Sequence, residues 1–290
     1  MIPAERSTTK FLVKKTLTII GCGKVGRTLG RLWAGTDVFA LHDVLNRSLQ
    51  SAQDAVAFVG AGQPIDAYAD LRPADIYLIA APDDHIADCC DALAASGQLS
   101  SACIVFHCSG ALSASALRAA TQCGTAVASV HPIRSFARPE QLVHDFAGTY
   151  CGAEGDRRAL DILGEGFAAI GAKLVAIDSG HKILYHAAAV FASNYLVTLL
   201  DVAQQAYVEA GIAPAVALKL MEPLVRETAD NIFRLGPPAA LTGPVARGDT
   251  ATVERQQKAV AEWHPAYGGL YRDFATLTAE LAARRNSGKS

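Results

Sequence analysis

Along the chain, short aliphatic and β-branched runs alternate with stretches whose apolar positions recur every three or four residues. Leu17-Thr18-Ile19-Ile20 reads as a buried strand ending in glycine, and Lys24 to Trp33 follows with helical spacing. Val38 to Leu45 and Ser48 to Phe58 repeat the strand–helix pair. Further strands are predicted over Asp75–Ala80, Cys103–His107, Ala126–Val130, Thr149–Cys151 and Lys173–Ile177, with helices over Asp84–Ala95, Ser113–Thr121 and Asp156–Ile170. Such alternation predicts parallel βαβ units with right-handed crossovers, and so an open sheet covered by helices on both faces.

Beyond Asp178 no further strand run occurs. Lys182 to Glu209 reads as one long helix, stopped by Gly211 and Pro214. Another runs from about Ala215 to Leu235, before Gly236-Pro237-Pro238. Two more fall near Thr250–Glu262 and Tyr267–Arg285, parted by Pro265, and Arg284–Ser290 reads as a frayed tail. The chain is therefore expected to be an α/β protein with a doubly wound parallel sheet over residues 1–178. Residues 179–290 are expected to form an all-helical domain for substrate contacts and dimerisation.

Composition narrows the class. Of 290 residues, 51% are hydrophobic and 19% charged, enough apolar surface for a large core and too much for disorder. The net charge of −2, from 26 basic and 28 acidic residues, leaves no basic excess for nucleic acid. The seven cysteines are odd in number and contain no C-x-x-C pair. They read as small buried residues of a reduced cytoplasmic protein, with no metal site. Met1 to Lys15 is polar apart from Phe11-Leu12-Val13, too little for a signal peptide. Ala187 to Leu200 is interrupted by Ser193, Asn194 and Thr198, and reads as too short and too polar to span a bilayer. A soluble protein without a membrane partner is expected.

Gly21-Cys22-Gly23-Lys24-Val25-Gly26 fits G-x-G-x-x-G between a predicted strand and helix, where a dinucleotide fingerprint belongs. Gly21 permits the tight turn, Gly23 admits the pyrophosphate, and Gly26 lets helix and strand pack. The helix N-terminus, with Lys24 and Val25, would hold phosphates. The domain is accordingly a doubly wound, Rossmann-like parallel sheet. After the second strand the chain reads Asn46-Arg47-Ser48, where an NAD enzyme usually places an acid. Arg47 and Ser48 suit an adenosine 2′-phosphate, which favours NADP. Asp43 is the alternative acid if the strand register differs.

Three later loops belong at the carboxyl edge of the sheet, where ligands of this architecture bind. Ala81 and Pro82 leave room for the nicotinamide ribose, and Asp83 or Asp84 is expected to cap the next helix. His131, in Val130-His131-Pro132, is the acid–base candidate. Ser109 would hydrogen-bond the same substrate oxygen, and Arg134 would hold a carboxylate. Lys182 and His186 share one helix face with Ala189 and Ser193, and Asn194 lies beside it. That face is either turned to a ligand or a charged first turn at the surface. Glu222, Arg226, Arg247 and Asp249 are substrate or subunit contacts that spacing does not separate. Thr242 to Asp249 reads as a rigid turn with a helix cap at Asp249 or Thr250.

The N-terminal half resembles the NADP-binding domain of 6-phosphogluconate, 3-hydroxyisobutyrate, pyrroline-5-carboxylate and ketopantoate enzymes. The whole chain is more similar to Rossmann-like proteins with a C-terminal domain of unknown function, DUF2520. The resemblance rests on Ala80-Ala81-Pro82-Asp83, His107-Cys108-Ser109-Gly110-Ala111-Leu112, His131-Pro132-Ile133, Tyr185-His186-Ala187-Ala188, Ser193-Asn194, Thr242-Gly243-Pro244 and Arg247-Gly248-Asp249. It implies a homodimer with helical domains beside the cofactor cleft, and some members act as alternative ketopantoate reductases. Ketopantoate and hydroxyacid enzymes carry a catalytic lysine with asparagine four residues later. Lys182 is similarly placed, but His186 replaces the asparagine. Ser109 and His131 are similar to the serine and His-Pro histidine of prephenate dehydrogenases.

These readings converge on an NADPH-dependent oxidoreductase that reduces a small 2-oxo acid such as ketopantoate. The proton would come from His131, or from Lys182 with His186, while Ser109 and Asn194 orient the oxygen. The alternatives are an imine reductase, a prephenate-type dehydrogenase, or a dinucleotide-binding sensor or scaffold without chemistry.

Overall fold

A computed structural model describes residues 14–287; Phe11-Leu12-Val13 and the last three residues lie outside the described residues. Eight strands form one sheet: β1 (Lys15–Ile20), β2 (Phe39–Leu45), β3 (Gln63–Ile65), β4 (Ile76–Ile79), β5 (Ile104–His107), β6 (Ala126–Pro132), β7 (Tyr150–Gly155) and β8 (Lys173–Ala176). Their order is β3-β2-β1-β4-β5-β6-β7-β8. The chain starts mid-sheet, moves outward to β3, then crosses back to β4. The crevice between β1 and β4, where the winding reverses, is the ligand position of such sheets.

The connecting helices are α1 (Lys24–Ala34), α2 (Leu49–Val59), α3 (Ile86–Ala95), α4 (Arg118–Gln122), α5 (Pro139–Asp145) and α6 (Arg157–Ala169). Because strand side chains alternate, each strand feeds two cores. Leu17, Ile19, Ile76, Leu78 and Phe106 pack with α1, α2 and α6 on one face. Ile20, Tyr77, Ile79 and Val105 pack with α3 and α4 on the other. Trp33 centres the first core, edge-on to Phe39, Phe106 and Phe167 at centroid distances of 5.5, 6.4 and 5.3 Å. Its indole N–H donates to Gly166 O at 2.9 Å, so the largest buried ring leaves no orphaned donor.

The all-parallel expectation fails at the last two strands, β7 and β8. β7 runs antiparallel to β6, with His131 opposite Gly152 and Ser129 opposite Glu154. Strand periodicity carries no information on direction. The β6–β7 connection, including α5, returns along the same edge instead of crossing the sheet. β8 then pairs parallel to β7. The short β3 and α5 were also not predicted.

α7 (Lys182–Ala192) reaches the end of the first compact unit, Met1–Phe191; the second is Ala192–Ser290. The contact boundary therefore falls after residue 178, because Lys182 and Tyr185 bond to sheet residues. The second unit contains α8 (Asn194–Glu209), α9 (Pro214–Leu235), α10 (Pro237–Ala240), α11 (Gly243–Arg247), α12 (Thr250–Trp263) and α13 (Pro265–Ser287). The single helix expected over Lys182–Glu209 is two helices, broken at Ser193 with φ −125° and ψ −73°. Asp249 caps α12 by accepting the Thr252 N–H. α13 extends to Ser287, so Arg284 and Arg285 are helical rather than frayed. Arg285 donates to Leu241 O and Ala246 O, at 3.2 and 3.0 Å, and so fastens α10 and α11 to α13.

The Ser179–Glu209 run is long and apolar enough to cross a membrane by length and composition alone. The expectation of a run too short and too polar rests on Ala187–Leu200 alone, and the longer run meets the length by adding residues on both sides. Averaged over a helix-length window, Ser193, Asn194 and Thr198 are outweighed by their aliphatic neighbours.

Candidate functional site

β1 leads into Gly21, whose φ of +78° favours glycine; a side chain there would meet Ala81 N at 2.9 Å. Gly26 packs against Ile19 and Ala80, where a methyl group would lie 3.2 and 3.3 Å from side-chain carbons. Gly23 precedes α1, and no side chain caps that helix. The first-turn N–H groups are thus available to an anion. They open on a cleft of about 1000 Å³ lined by Gly21, Gly23, Lys24, Val25, Asn46, Arg47, Ser48, Ala81, Pro82, Asp83 and Ser109, among others. Size, glycine turn and uncapped helix fit a dinucleotide.

At the adenosine end, Asn46 Oδ1 accepts the Cys22 N–H at 2.7 Å, tying the end of β2 to the glycine turn. Ser48 caps α2 through Ser51 N. Asp43 is fully buried and held by the Arg72 backbone N–H and guanidinium Nε, at 2.9 and 2.8 Å. It is therefore committed to an ion pair with the half-exposed Arg72 and is not a ribose acid. Arg47 is joined on the cleft wall by Arg27, which sequence reasoning missed. Arg27 Nε is buried without a protein partner. Its place immediately after Gly26, in the first turns of α1, was the available signal.

Neither Asp83 nor Asp84 caps a helix as expected. Asp83 instead accepts the Ser109 hydroxyl proton at 2.8 Å. Ser109 Oγ also accepts the N–H groups of Ala111 and Leu112, at 3.1 and 2.9 Å. The hydroxyl thus shapes the loop after β5. Below it, His107 Nδ1 accepts the Ser109 N–H at 3.1 Å, and Nε2 faces Ser113 O at 3.1 Å. Those partners fix the neutral tautomer with its proton on Nε2, and burial pushes the imidazole pKa down to about 4.

Lys182, at the start of α7, is only 2% exposed. Its ammonium donates to Glu154 Oε1 at 3.2 Å and to Ser129 Oγ. Glu154 Oε1 also accepts the Ala114 N–H at 2.8 Å. Burial lowers the Lys182 pKa, and the Glu154 charge opposes that shift. The lysine is not a surface residue; it joins β6, β7 and α7.

One turn further on, Tyr185 and His186 reach the end of β6. The Tyr185 hydroxyl is 2.9 Å from His131 Nδ1, and the His186 ring centroid is 5.8 Å from that of His131. Gly110 lies under both histidines: a methyl group there would stand 2.9 Å from His131 Nε2 and collide with His186 Nδ1. Gly152, opposite His131 on β7, makes room for Tyr185 in the same way. His186 Nδ1 is buried without a protein partner. Burial, then the neighbouring His186 and Lys182, push the His131 pKa down to about 4, against Asp83.

The structure therefore gathers Ser109, His131, Lys182 and His186 around the ends of β5 and β6. Arg134 lies in the wall of another groove, of about 560 Å³, with Ile133, Tyr150 and Tyr185. Its guanidinium donates to Asp145 O at 2.8 Å. Asn194 belongs to the second unit, exposed at the start of α8. Among the described residues, no group of three or more His, Cys, Asp or Glu could hold a metal ion.

The class these features define is the Rossmann-like domain, whose family model matches residues 3–132. Residues 149–278 match the domain of unknown function DUF2520, so the chain joins a Rossmann-like domain to a DUF2520 domain. Protein TM1727 from Thermotoga maritima is 27% identical, with a TM-score of 0.74, over 93% of this chain and 99% of that one. BF3122 from Bacteroides fragilis, provisionally classed as an NADP oxidoreductase, is 21% identical with a TM-score of 0.72, over 92% and 98%. A pyrroline-5-carboxylate reductase from Coxiella burnetii is 16% identical with a TM-score of 0.57, over 94% and 99%. Among curated proteins, none matches the chain by sequence.

The two depressed histidines set the acid response of the fold. Both have folded pKa values of about 4, below the ordinary 6.5. Between those values the unfolded chain binds protons that the native chain does not, so stability is lost as pH falls through this window. His107→Gln is expected to flatten that loss in urea unfolding measured across the window. An unchanged slope in the variant would remove His107 from the acid response.

Proposed function

We propose that the protein is an NADPH-dependent reductase of a small 2-oxo acid, with ketopantoate as the first substrate to test. The observation that carries this reading is His131, held against the loop that borders a dinucleotide-sized cleft. When bound, NADPH supplies a hydride. The uncapped start of α1 receives the pyrophosphate, with Gly21, Gly23, Lys24 and Val25 around it. Arg47 and Ser48 take the adenosine 2′-phosphate, and the unpartnered Arg27 adds charge on the same wall. The absence of a free carboxylate at the end of β2 supports NADP over NAD. Ala81 and Pro82 border the nicotinamide ribose. His131 presents its imidazole to the substrate oxygen. The enclosure of the Lys182 ammonium against Glu154 and Ser129 favours His131 over Lys182 with His186 in that role.

We also propose a homodimer formed through the helices. Ile183 and Leu184 of α7, Val197 of α8, and Leu218, Leu224 and Phe233 of α9 are all more than half exposed, Phe233 at 89%. α9 intersperses Lys219, Glu222, Arg226, Glu227 and Asp230 among its apolar residues. That mixture suits a protein partner better than lipid, where each central charge costs roughly 2.5–3.5 kcal/mol. A cytoplasmic, reducing location agrees with unpaired cysteines at all seven positions.

Three measurements test these proposals. A panel of 2-oxo acids including ketopantoate, followed with NADPH at the nicotinamide absorbance, should show turnover. His131→Ala should lower kcat by about 10²-fold or more while NADPH affinity stays near wild type. Tight NADPH binding without turnover across the panel would favour a sensor over an enzyme. For cofactor choice, Arg47→Ala should weaken NADPH binding by about tenfold and leave NADH binding unchanged; equal effects on both would remove Arg47 from the 2′-phosphate site. For assembly, sedimentation equilibrium should give the mass of two chains, and Phe233→Glu should shift it toward one. A wild-type mass of one chain rejects the dimer.

A further inference from the structure

His131 stands at the end of β6, between the loop after β5 and α7. Its Nε2 lies over Gly110, and Gly110 continues the loop from Ser109 on the cleft wall. Its Nδ1 faces the Tyr185 hydroxyl at 2.9 Å. A neutral imidazole has one donor nitrogen and one acceptor nitrogen, so the direction of the Tyr185 bond decides which nitrogen carries the proton. A phenol is a far stronger acid than a neutral imidazole, and an imidazole nitrogen is the better acceptor, so in this pair the Tyr185 hydroxyl donates. Its own proton then points to His131 Nδ1, and Nε2 keeps the imidazole proton on the side of Gly110.

We propose that Tyr185, acting through His131, is the source of the proton that completes carbonyl reduction. This rests on the reductase reading above. As the NADPH hydride adds to the carbonyl carbon, the C=O π pair becomes a lone pair on oxygen. The Nε2 proton moves to that oxygen, and the Tyr185 proton moves to Nδ1. The imidazole stays neutral, and the negative charge rests on the phenolate, which stands over Gly152. On product release the phenolate recovers the Nδ1 proton and Nε2 takes one from water. The net donors are one hydride from NADPH and one proton from solvent.

The surroundings explain why the ring needs a partner. His186 and Lys182 face His131 from α7, and Asp83 faces it from the turn after β4. Burial and the neighbouring Lys182 keep the imidazolium scarce at neutral pH, and a neutral imidazole alone is a weaker acid than a phenol. Tyr185 faces Cys151 on β7, and burial raises its own pKa, so the phenol remains protonated at neutral pH. Tyr185 is a positioning residue in this scheme, since it reaches the substrate only through His131.

Two readouts on the full-length protein test the pair. Nitrogen-15 NMR of the histidine rings should show the His131 proton on Nε2 in the wild type and a tautomer mixture in Tyr185→Phe. A wild-type proton on Nδ1 would overturn the proposal, because Tyr185 would then be the acceptor. With ketopantoate and NADPH, kcat should hold steady through the histidine range and fall only in alkali, as Tyr185 ionises. Replacing Tyr185 by the more acidic 3-fluorotyrosine should move that alkaline limb to lower pH, while NADPH affinity confirms the fold. A limb that does not move, or a kcat that falls as pH rises through the histidine range, overturns it. Loss of all turnover across the panel with the Nε2 tautomer intact rejects the reductase reading and leaves the hydrogen-bond direction established.

Discussion

The buried Lys182–Glu154 ion pair is the fastening on which the site depends. Lys182 and Glu154 are almost fully enclosed, with Ser129 as a further partner. Such a pair contributes little net stability, but removing one partner alone costs about 3–5 kcal/mol, because the other charge stays buried. Its consequence is registration. Lys182 and Tyr185 are spaced by about 4.5 Å along α7, and Glu154 and Gly152 by roughly 6.6 Å along β7. Once Lys182 is seated on Glu154, Tyr185 arrives over Gly152 and His186 over Gly110. The ammonium therefore acts at a distance, by placing the groups that meet His131.

The two sides of the site are built by different means. The cofactor side follows from backbone: a left-handed glycine, an uncapped helix and the crossover between β1 and β4. The chemical side follows from side chains on alternate positions of one strand face. His131 and Ser129 project from β6, while Gly152 and Glu154 oppose them on β7. One of those opposing positions is empty and the other charged, which admits a phenol at one level and an ammonium at the next. Ser109 and Asp83 join the two sides through a single hydrogen bond.

Much of this was legible in the sequence, and the rest was hidden for identifiable reasons. The strands that end in glycine or a polar loop stood out, as did the fingerprint and the place of His131. Strand direction at β7 did not, because alternation looks the same in either sense. Tyr185 lay within an apolar helical run, where an aromatic residue reads as packing. Its spacing from Lys182 and the facing Gly152 carry its role, and only the sheet register reveals that Gly152 is opposite. Glu154, Ser129 and Asp83 were silent because their partners lie far away in sequence. Lys182 was recognised as unusual, but a buried ion pair and an open donor give the same one-dimensional pattern.

The reversal of β7 has a consequence for how such a chain could change over time. A parallel β7 would force residues 133–149 to travel the length of the sheet and return at the opposite edge. Running backward, β7 lets that stretch leave and re-enter at the rim where His131 sits. Residues inserted there extend outward over the rim without shifting the pairing of His131 with Gly152 or Ser129 with Glu154. New walls can thus be added beside an unaltered His131, so that diversification and the pairing that holds the histidine occupy separate pieces of chain.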